Sequence, residues 1–208
     1  MSPIRCIALA LACGLVLAAA GCVSLKKPAV EKRYFTVEAQ RPSQNRTGPV
    51  DGVLKVRRLR VSPSYSGKGL VYKVSKNAFE SDFYNAYFTP PSDMLTQEVM
   101  DWLTKSGAFS HVVDPSSLVQ SHLTLEGVVN AIYGDYAATP SKAVLKMQFF
   151  LINESNPDQA IVFAKDYNRE ETLYTDKPSE LVQAQSENLA SILEELEGDL
   201  REAVAKRE

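Results

Sequence analysis

Apolar and polar residues alternate along several stretches of the chain, and this is the pattern of half-buried β-strands. Turn-forming residues separate these stretches, and the sequence 156–159 predicts a tight turn that joins the last two strands in a hairpin. The pattern predicts strands at 34–39, 53–61, 70–75, 108–114, 121–136, 142–155 and 160–173.

Two other stretches repeat their apolar residues every three or four positions, which predicts amphipathic helices. The first begins after Pro90-Pro91 and ends before Gly107, a residue that favours helix C-termini. The second begins near Pro178; we expect it to cover the sheet, and self-association is the alternative. The predicted apolar faces are Met94, Leu95, Val99, Trp102 and Leu103 in the first helix, and Leu181, Ala184, Leu189, Ile192, Leu193, Leu196 and Leu200 in the second.

The aromatic segment 77–88 has features of both a helix and a strand. Phe79, Phe83 and Tyr87 are four residues apart, as on one face of a helix. Its aromatic content and the two prolines that follow it favour a strand. Strands and helices are interspersed without strict alternation, so the sequence predicts an α+β fold: a mostly antiparallel sheet of about seven strands covered by two amphipathic helices.

The first residues have the features of a secretory signal. One basic residue, Arg5, precedes an apolar run of about fifteen residues, which is too short to cross a bilayer. Small residues lead to Cys22 in the order expected of a bacterial lipobox, where a diacylglycerol thioether forms. We predict a signal peptide at 1–21, a lipidated tether at 22–33 and one domain at 34–208. A plain secretory signal and an uncleaved anchor are the alternatives.

Lipidation at Cys22 predicts a protein held on a bacterial envelope membrane through its acyl chains. Residue 23 is Val, and an Asp there favours retention in the inner membrane of enterobacteria. We therefore expect an outer-membrane anchor and a domain that faces the periplasm. Cys6 and Cys13 belong to the signal peptide, so the mature chain keeps no cysteine for a disulfide or a metal.

Composition excludes several classes of function. The chain is 45% hydrophobic and 23% charged, which is ordinary for a globular protein, and its net charge is −2. The densest basic stretch, 55–60, alternates with apolar residues and predicts the solvated face of a strand. Contact with phosphate or anionic lipid is the alternative, and nucleic acid is not expected as a partner. No nucleotide-binding loop, hydrolase motif or metal motif is present, so we expect no catalysis, cofactor or metal.

Aromatic residues are the best candidates for a binding role. Tyrosine combines apolar area with a hydroxyl group, which suits interfaces. The alternative is that most of these rings build the core. The candidates for contact with a partner or with lipid are Tyr65, Tyr72, Phe83, Tyr84, Tyr87 and Phe88.

The order of several short motifs resembles the ABC-type transport auxiliary lipoprotein family. Two positions depart from that family's pattern, Lys73 in place of Arg and Phe88 in place of Trp. The resemblance extends over about 34–204. The residues that carry it are Tyr34 and Val37; Val61, Pro63 and Tyr65; Leu70-Val71-Tyr72; Tyr84 and Tyr87; Pro90-Pro91 with Leu95; and Gly107-Ala108-Phe109.

This resemblance implies an auxiliary subunit of an intermembrane lipid transport system. Its partners would be an MCE-domain protein with an ABC permease and ATPase, and the membrane through the lipid anchor. Contact with phospholipid and homo-oligomer formation are left open. The alternative is a structural lipoprotein that docks to another envelope or secretion assembly.

Overall fold

The computed structural model describes residues 31–42, 50–155 and 161–206, with side chains from Gly52 onward in the second range. The chain divides into two compact units, Met1–Glu31 and Lys32–Glu208, and all the elements named here belong to the second. They are β1 (Arg33–Phe35), β2 (Val50–Val56), β3 (Arg60–Val61), β4 (Gly69–Ser75), β5 (Ala78–Tyr87), α1 (Pro91–Ser106), β6 (Phe109–Val113), β7 (Leu123–Asp135), β8 (Lys142–Asn153), β9 (Ile161–Thr172) and α2 (Pro178–Ala205), with a single 3₁₀ turn at Pro63–Tyr65.

The long strand β7 is the centre of the sheet. On one side it pairs antiparallel with β8, which pairs antiparallel with β9. On its other side β7 pairs in parallel with β2, β3 and β4, one after another along its length. The sheet therefore divides there into two branches: β2 continues to β6, and β4 continues to β5 and β1.

The predicted α+β class is confirmed. The longest ladders, β7–β8 and β8–β9, are antiparallel, and two helices accompany the sheet within the described ranges. The predicted hairpin is confirmed by the β8–β9 pairing, while its turn at 156–159 lies outside the described residues. Parallel pairs with β7 make the sheet mixed. The described strands number nine, because the segment 77–88 is a strand, β5, and the predicted strand 53–61 divides into β2 and β3.

The predicted strand 53–61 is interrupted at residues 57–59. From Val56 to Arg60 the chain advances four residues, whereas its partner β7 advances three, from Leu125 to Val128. One extra residue therefore bulges from the ladder. The bulge buries Leu59, whose N–H donates to Thr96 Oγ1 of α1 over 2.9 Å.

Both helices pack on the sheet with the predicted apolar faces. All twelve predicted face residues are buried. Gly107 ends α1 in the left-handed conformation, with φ 62°, that glycine adopts without strain. Helix α2 packs against β8 and β9, so the prediction that it covers the sheet is confirmed.

The segment 36–41, which follows β1, connects to both helices. The predicted strand 34–39 thus ends early, because its backbone donors turn to helix side chains instead of a neighbouring strand. Val37 N–H donates to Met94 Sδ and Ala39 N–H to Glu98 Oε2 of α1, over 3.3 and 2.8 Å. Glu38 N–H donates to Ser186 Oγ of α2 over 3.1 Å.

Candidate functional site: an exposed aromatic edge

A bulge in β5 is the origin of the candidate site. Gly69 of β4 faces Ala86, and Val71 faces Ser81, so β5 advances five residues where β4 advances two and has three extra residues there. A Cβ atom on Gly69 would lie 2.7 Å from the backbone oxygen of Asp82. The missing side chain of Gly69 therefore lets the bulge close over β4.

The carboxylate of Asp82 holds this bulge together. Its Oδ1 accepts the backbone N–H groups of Tyr84 and Asn85 over 2.7 and 2.9 Å. Its Oδ2 accepts the Tyr72 hydroxyl and the Asn85 side-chain amide over 2.8 and 2.7 Å. Partial burial raises the pKa of Asp82, but these hydrogen bonds outweigh that effect and leave its pKa below the ordinary value.

The bulge presents two aromatic side chains to solvent. Phe83 and Tyr84 meet edge to face with ring centroids 5.2 Å apart, and Phe83 is 68% exposed. The Lys32 ammonium lies 4.0 Å from the centroid of the Phe83 ring, within the range of a cation–π interaction.

A second aromatic pair lies on the neighbouring strands. Tyr34 of β1 and Phe88, just after β5, meet edge to face at 6.3 Å, and Phe88 is 65% exposed. Lys68 Nζ lies 5.8 Å from the Tyr34 ring. A hollow of about 310 Å³ lies between the pairs, lined by Tyr34 and Phe83 and by both lysines.

We call this surface the aromatic edge, because it lies on β5 and β1, the last two strands of the branch that begins with β4. It consists of Lys32, Tyr34, Lys68, Phe83, Tyr84 and Phe88. Three of these residues, Phe83, Tyr84 and Phe88, were predicted as binding candidates. Lys32, Tyr34 and Lys68 were not, since they come from separate segments that strand pairing brings together.

The other three candidates are packed inside the domain to different degrees. Tyr87 is 2% exposed, and its hydroxyl donates to Gln185 Oε1 of α2 over 2.8 Å. Tyr65 is half-buried and stacks on Tyr133 with ring centroids 5.8 Å apart. Tyr72 is half-buried, and its hydroxyl donates a hydrogen bond to Asp82.

A larger cleft of about 740 Å³ lies beside Tyr72, on the other side of Asp82. The ring of Tyr136 packs edge-on against Tyr72 at 5.4 Å. Burial raises the pKa of Tyr136 to about 12, so its hydroxyl keeps its proton at neutral pH. The cleft is open and contains no paired acid and base that would point to a reaction.

The described residues contain no group of three or more histidine, cysteine and acidic side chains placed to hold a metal ion. Within the same ranges, no helix has the length and hydrophobicity needed to cross a membrane. Both histidines lie apart from the aromatic edge: His111 is in β6, and His122 bonds Ser155 beside the start of β7.

Comparison with known families identifies the origin of the domain. Residues 81–207 match the family model LptE, described as lipopolysaccharide-assembly. This match extends over more than half of the chain, from the bulge of β5 to the end of α2. No curated protein matches the sequence.

Solved structures share the fold at low sequence identity. Protein XCC0632 from Xanthomonas campestris, assigned to the family model DUF330, has a TM-score of 0.73 and 15% identity over 84% of this chain and 98% of that one. An uncharacterized protein has a TM-score of 0.63 and 18% identity over 82% and 99%. The hypothetical protein CT253 from Chlamydia trachomatis has a TM-score of 0.55 and 6% identity over 74% and 98%.

The predicted membership in the ABC-type transport auxiliary lipoprotein family is wrong, because the matching family model is LptE. The predicted role beside an MCE-domain protein and an ABC permease and ATPase is wrong with it. The motifs behind that prediction lie within 34–109 and describe short strands, turns and a helix start. The LptE match extends over 81–207 and so includes β7–β9 and α2, where the prediction had no motif.

Proposed function

The chain belongs to the LptE lipopolysaccharide-assembly family, and from this premise we propose that it acts in lipopolysaccharide assembly as the lipoprotein partner of LptD. The observation that carries the proposal is the family match over residues 81–207. The match includes the sheet centre β7, the antiparallel strands β8 and β9 that follow it, and the helix that packs on them, so it concerns the body of the domain.

The family also settles the class and the location of the protein. Members are non-catalytic assembly lipoproteins, anchored by lipid to the outer membrane and facing the periplasm. The prediction of a non-enzymatic outer-membrane lipoprotein is therefore confirmed. We further propose that lipidation at Cys22 provides the anchor after cleavage of residues 1–21. Of the predicted tether, 22–33, Arg33 belongs to β1 and Lys32 to the second compact unit, so we propose residues 22–31 as the tether; residues 1–30 lie outside the described residues.

A role in holding partners agrees with the chemistry of the domain. Two of its carboxylates are engaged in fixing the fold, Asp82 in β5 and Glu197 between the helices. Its exposed large hydrophobic residues include several aromatic rings, which suit contact surfaces. We propose the aromatic edge as a contact surface of the protein, with Phe83, Tyr84 and Phe88 as its exposed rings.

Affinity purification from the native bacterium tests the function. The full chain carries a tag after residue 208 and is purified from detergent-solubilised outer membranes, with partners identified by mass spectrometry. We expect LptD as the main partner. An unrelated outer-membrane lipoprotein with the same tag is the matched control for non-specific recovery.

A Cys22→Ala variant separates assembly at the membrane from simple affinity. We expect this variant to lose its anchor and to recover much less LptD, because anchoring keeps the two proteins in one membrane at high effective concentration. Purification of the wild-type chain without LptD, or with components of another envelope system alone, would contradict the proposed function.

A further inference from the structure

We propose that the aromatic edge docks on the phospholipid surface of the membrane that holds the lipid anchor, with Lys32 and Lys68 on anionic head groups. The inference rests on the outer-membrane anchor and not on LptD. Its failure would therefore leave the proposed function standing.

The first argument is the mixture of side chains. Tyr34 and Tyr84 each combine an apolar ring with a polar hydroxyl, and such rings are enriched at the head-group level of membrane proteins. Phe83 and Phe88 supply apolar rings that are 68% and 65% exposed. Together they form an exposed surface suited to the boundary between water and acyl chains.

The second argument is the two lysines. Protein interfaces are depleted in lysine relative to the rest of the surface, so lysines among the rings favour a lipid surface over a protein partner. Lys32 Nζ lies 4.0 Å from the Phe83 ring centroid and Lys68 Nζ 5.8 Å from that of Tyr34. Both ammonium groups line the hollow of about 310 Å³, where an anionic head group would meet them.

The negative charge of the nearby Asp82 carboxylate is not presented to the surface as the two lysine charges are. Asp82 also lines the hollow, but both of its oxygens accept hydrogen bonds from the bulge and from Tyr72. The carboxylate thus accepts hydrogen bonds from the protein's own donors, while the two lysines contact exposed aromatic rings at the surface. The aromatic edge therefore suits an anionic surface better than a cationic one.

The third argument is covalent reach. Ten peptide steps separate Cys22 from Lys32. Even fully extended, such a segment spans at most about 35 Å. The aromatic edge begins at Lys32, so the anchor limits the distance between this residue and the membrane to about 35 Å.

A tryptophan reporter tests the docking in the full lipidated chain. Trp102 is the single tryptophan and is buried, so it gives a constant background. Phe83→Trp adds a reporter on the aromatic edge. Leu118→Trp is the matched control, because Leu118 is 99% exposed and follows β6 on the other branch of the sheet.

Each variant is reconstituted without partners in vesicles of phosphatidylethanolamine and phosphatidylglycerol that contain a dibrominated phospholipid. We expect the Phe83→Trp reporter to shift to the blue and to lose most of its added emission to bromine quenching, while the Leu118→Trp reporter does neither. Lys32→Glu together with Lys68→Glu in the Phe83→Trp chain is expected to reverse most of the quenching.

Four results would overturn the inference. Equal emission from the two reporters would show that the aromatic edge faces water. Unchanged quenching after both lysine substitutions, or equal quenching in vesicles of phosphatidylcholine alone, would remove the role of anionic head groups. A reporter that responds only after LptD is added would assign the edge to a protein interface.

Discussion

At the scale of single residues, the carboxylate of Glu197 in α2 contacts polar groups of the N-terminal segment and of both helices. Its carboxylate accepts hydrogen bonds from Arg41 and from Trp102 Nε1 at 3.1 Å each, and it pairs with Arg201 at 3.4 Å. The side chains of Glu197 and Arg41 are only 14% and 15% exposed. One carboxylate thus joins the N-terminal segment, α1 and α2.

We expect Glu197→Gln to lower the free energy of unfolding by about 2 kcal/mol, because it leaves the charge of Arg41 in a poorly solvated place without its partner. Urea denaturation of the variant and the wild type measures this change. Glu202→Gln in the same helix is the control: its pair with Lys206 is 65% and 72% exposed, so we expect a change below about 0.5 kcal/mol. Equal effects would contradict the account of Glu197.

Residue-level prediction succeeded where burial follows a local period. The apolar faces of α1 and α2 could be read from the sequence, because positions three and four apart share one side of a helix. The aromatic residues could not be divided in this way. Tyr87 is buried and Phe88 exposed because of strand pairing and of Gln185 in α2, a residue about one hundred positions away.

At the scale of elements, the β5 bulge depends on the ionised form of one side chain. The pKa of Asp82 is lower in the folded protein than its ordinary value of about 3.9, because the folded bulge donates hydrogen bonds to the carboxylate. A depressed pKa in the folded protein stabilises the fold at pH values above the pKa of the same carboxyl in the unfolded chain. This stabilisation is lost as the pH falls through the folded pKa.

We therefore expect the bulge to be stable from neutral pH down to about 4 and to loosen below it. In the Phe83→Trp chain, acid should change the emission and the collisional quenching of the reporter before the far-ultraviolet circular dichroism changes. Asp82→Asn is expected to show the loosened signal already at pH 7. A reporter that responds to acid identically in both chains would contradict the role of Asp82.

The strands themselves were predicted better than their partners. Alternation of apolar and polar residues predicts a strand and its two faces, and the turn predicted at 156–159 indicated the β8–β9 hairpin. The parallel pairing of β7 with β2, β3 and β4 has no local signal, since these strands come together only through the chain between them. The bulges at residues 57–59 and 82–85 were missed for the same reason: each is held by contacts with other elements.

At the scale of the whole molecule, the domain combines a rigid, helix-covered side with a sheet branch that carries exposed aromatic rings. The residues matched to the LptE family, 81–207, include most of β5 and everything from α1 to α2, while β1–β4 lie outside them. The short motifs near the N-terminus suggested another family because they report local strand and turn chemistry.

The most direct test of the central claim is the delivery of lipopolysaccharide in cells of the native bacterium. The chromosomal copy is placed under a repressible promoter, and newly made lipopolysaccharide is pulse-labelled and followed to the cell surface. We predict that depletion slows its arrival while its synthesis continues, and that the wild-type chain, but not the Cys22→Ala variant, restores delivery. Unchanged arrival of labelled lipopolysaccharide after full depletion would contradict the assignment to lipopolysaccharide assembly.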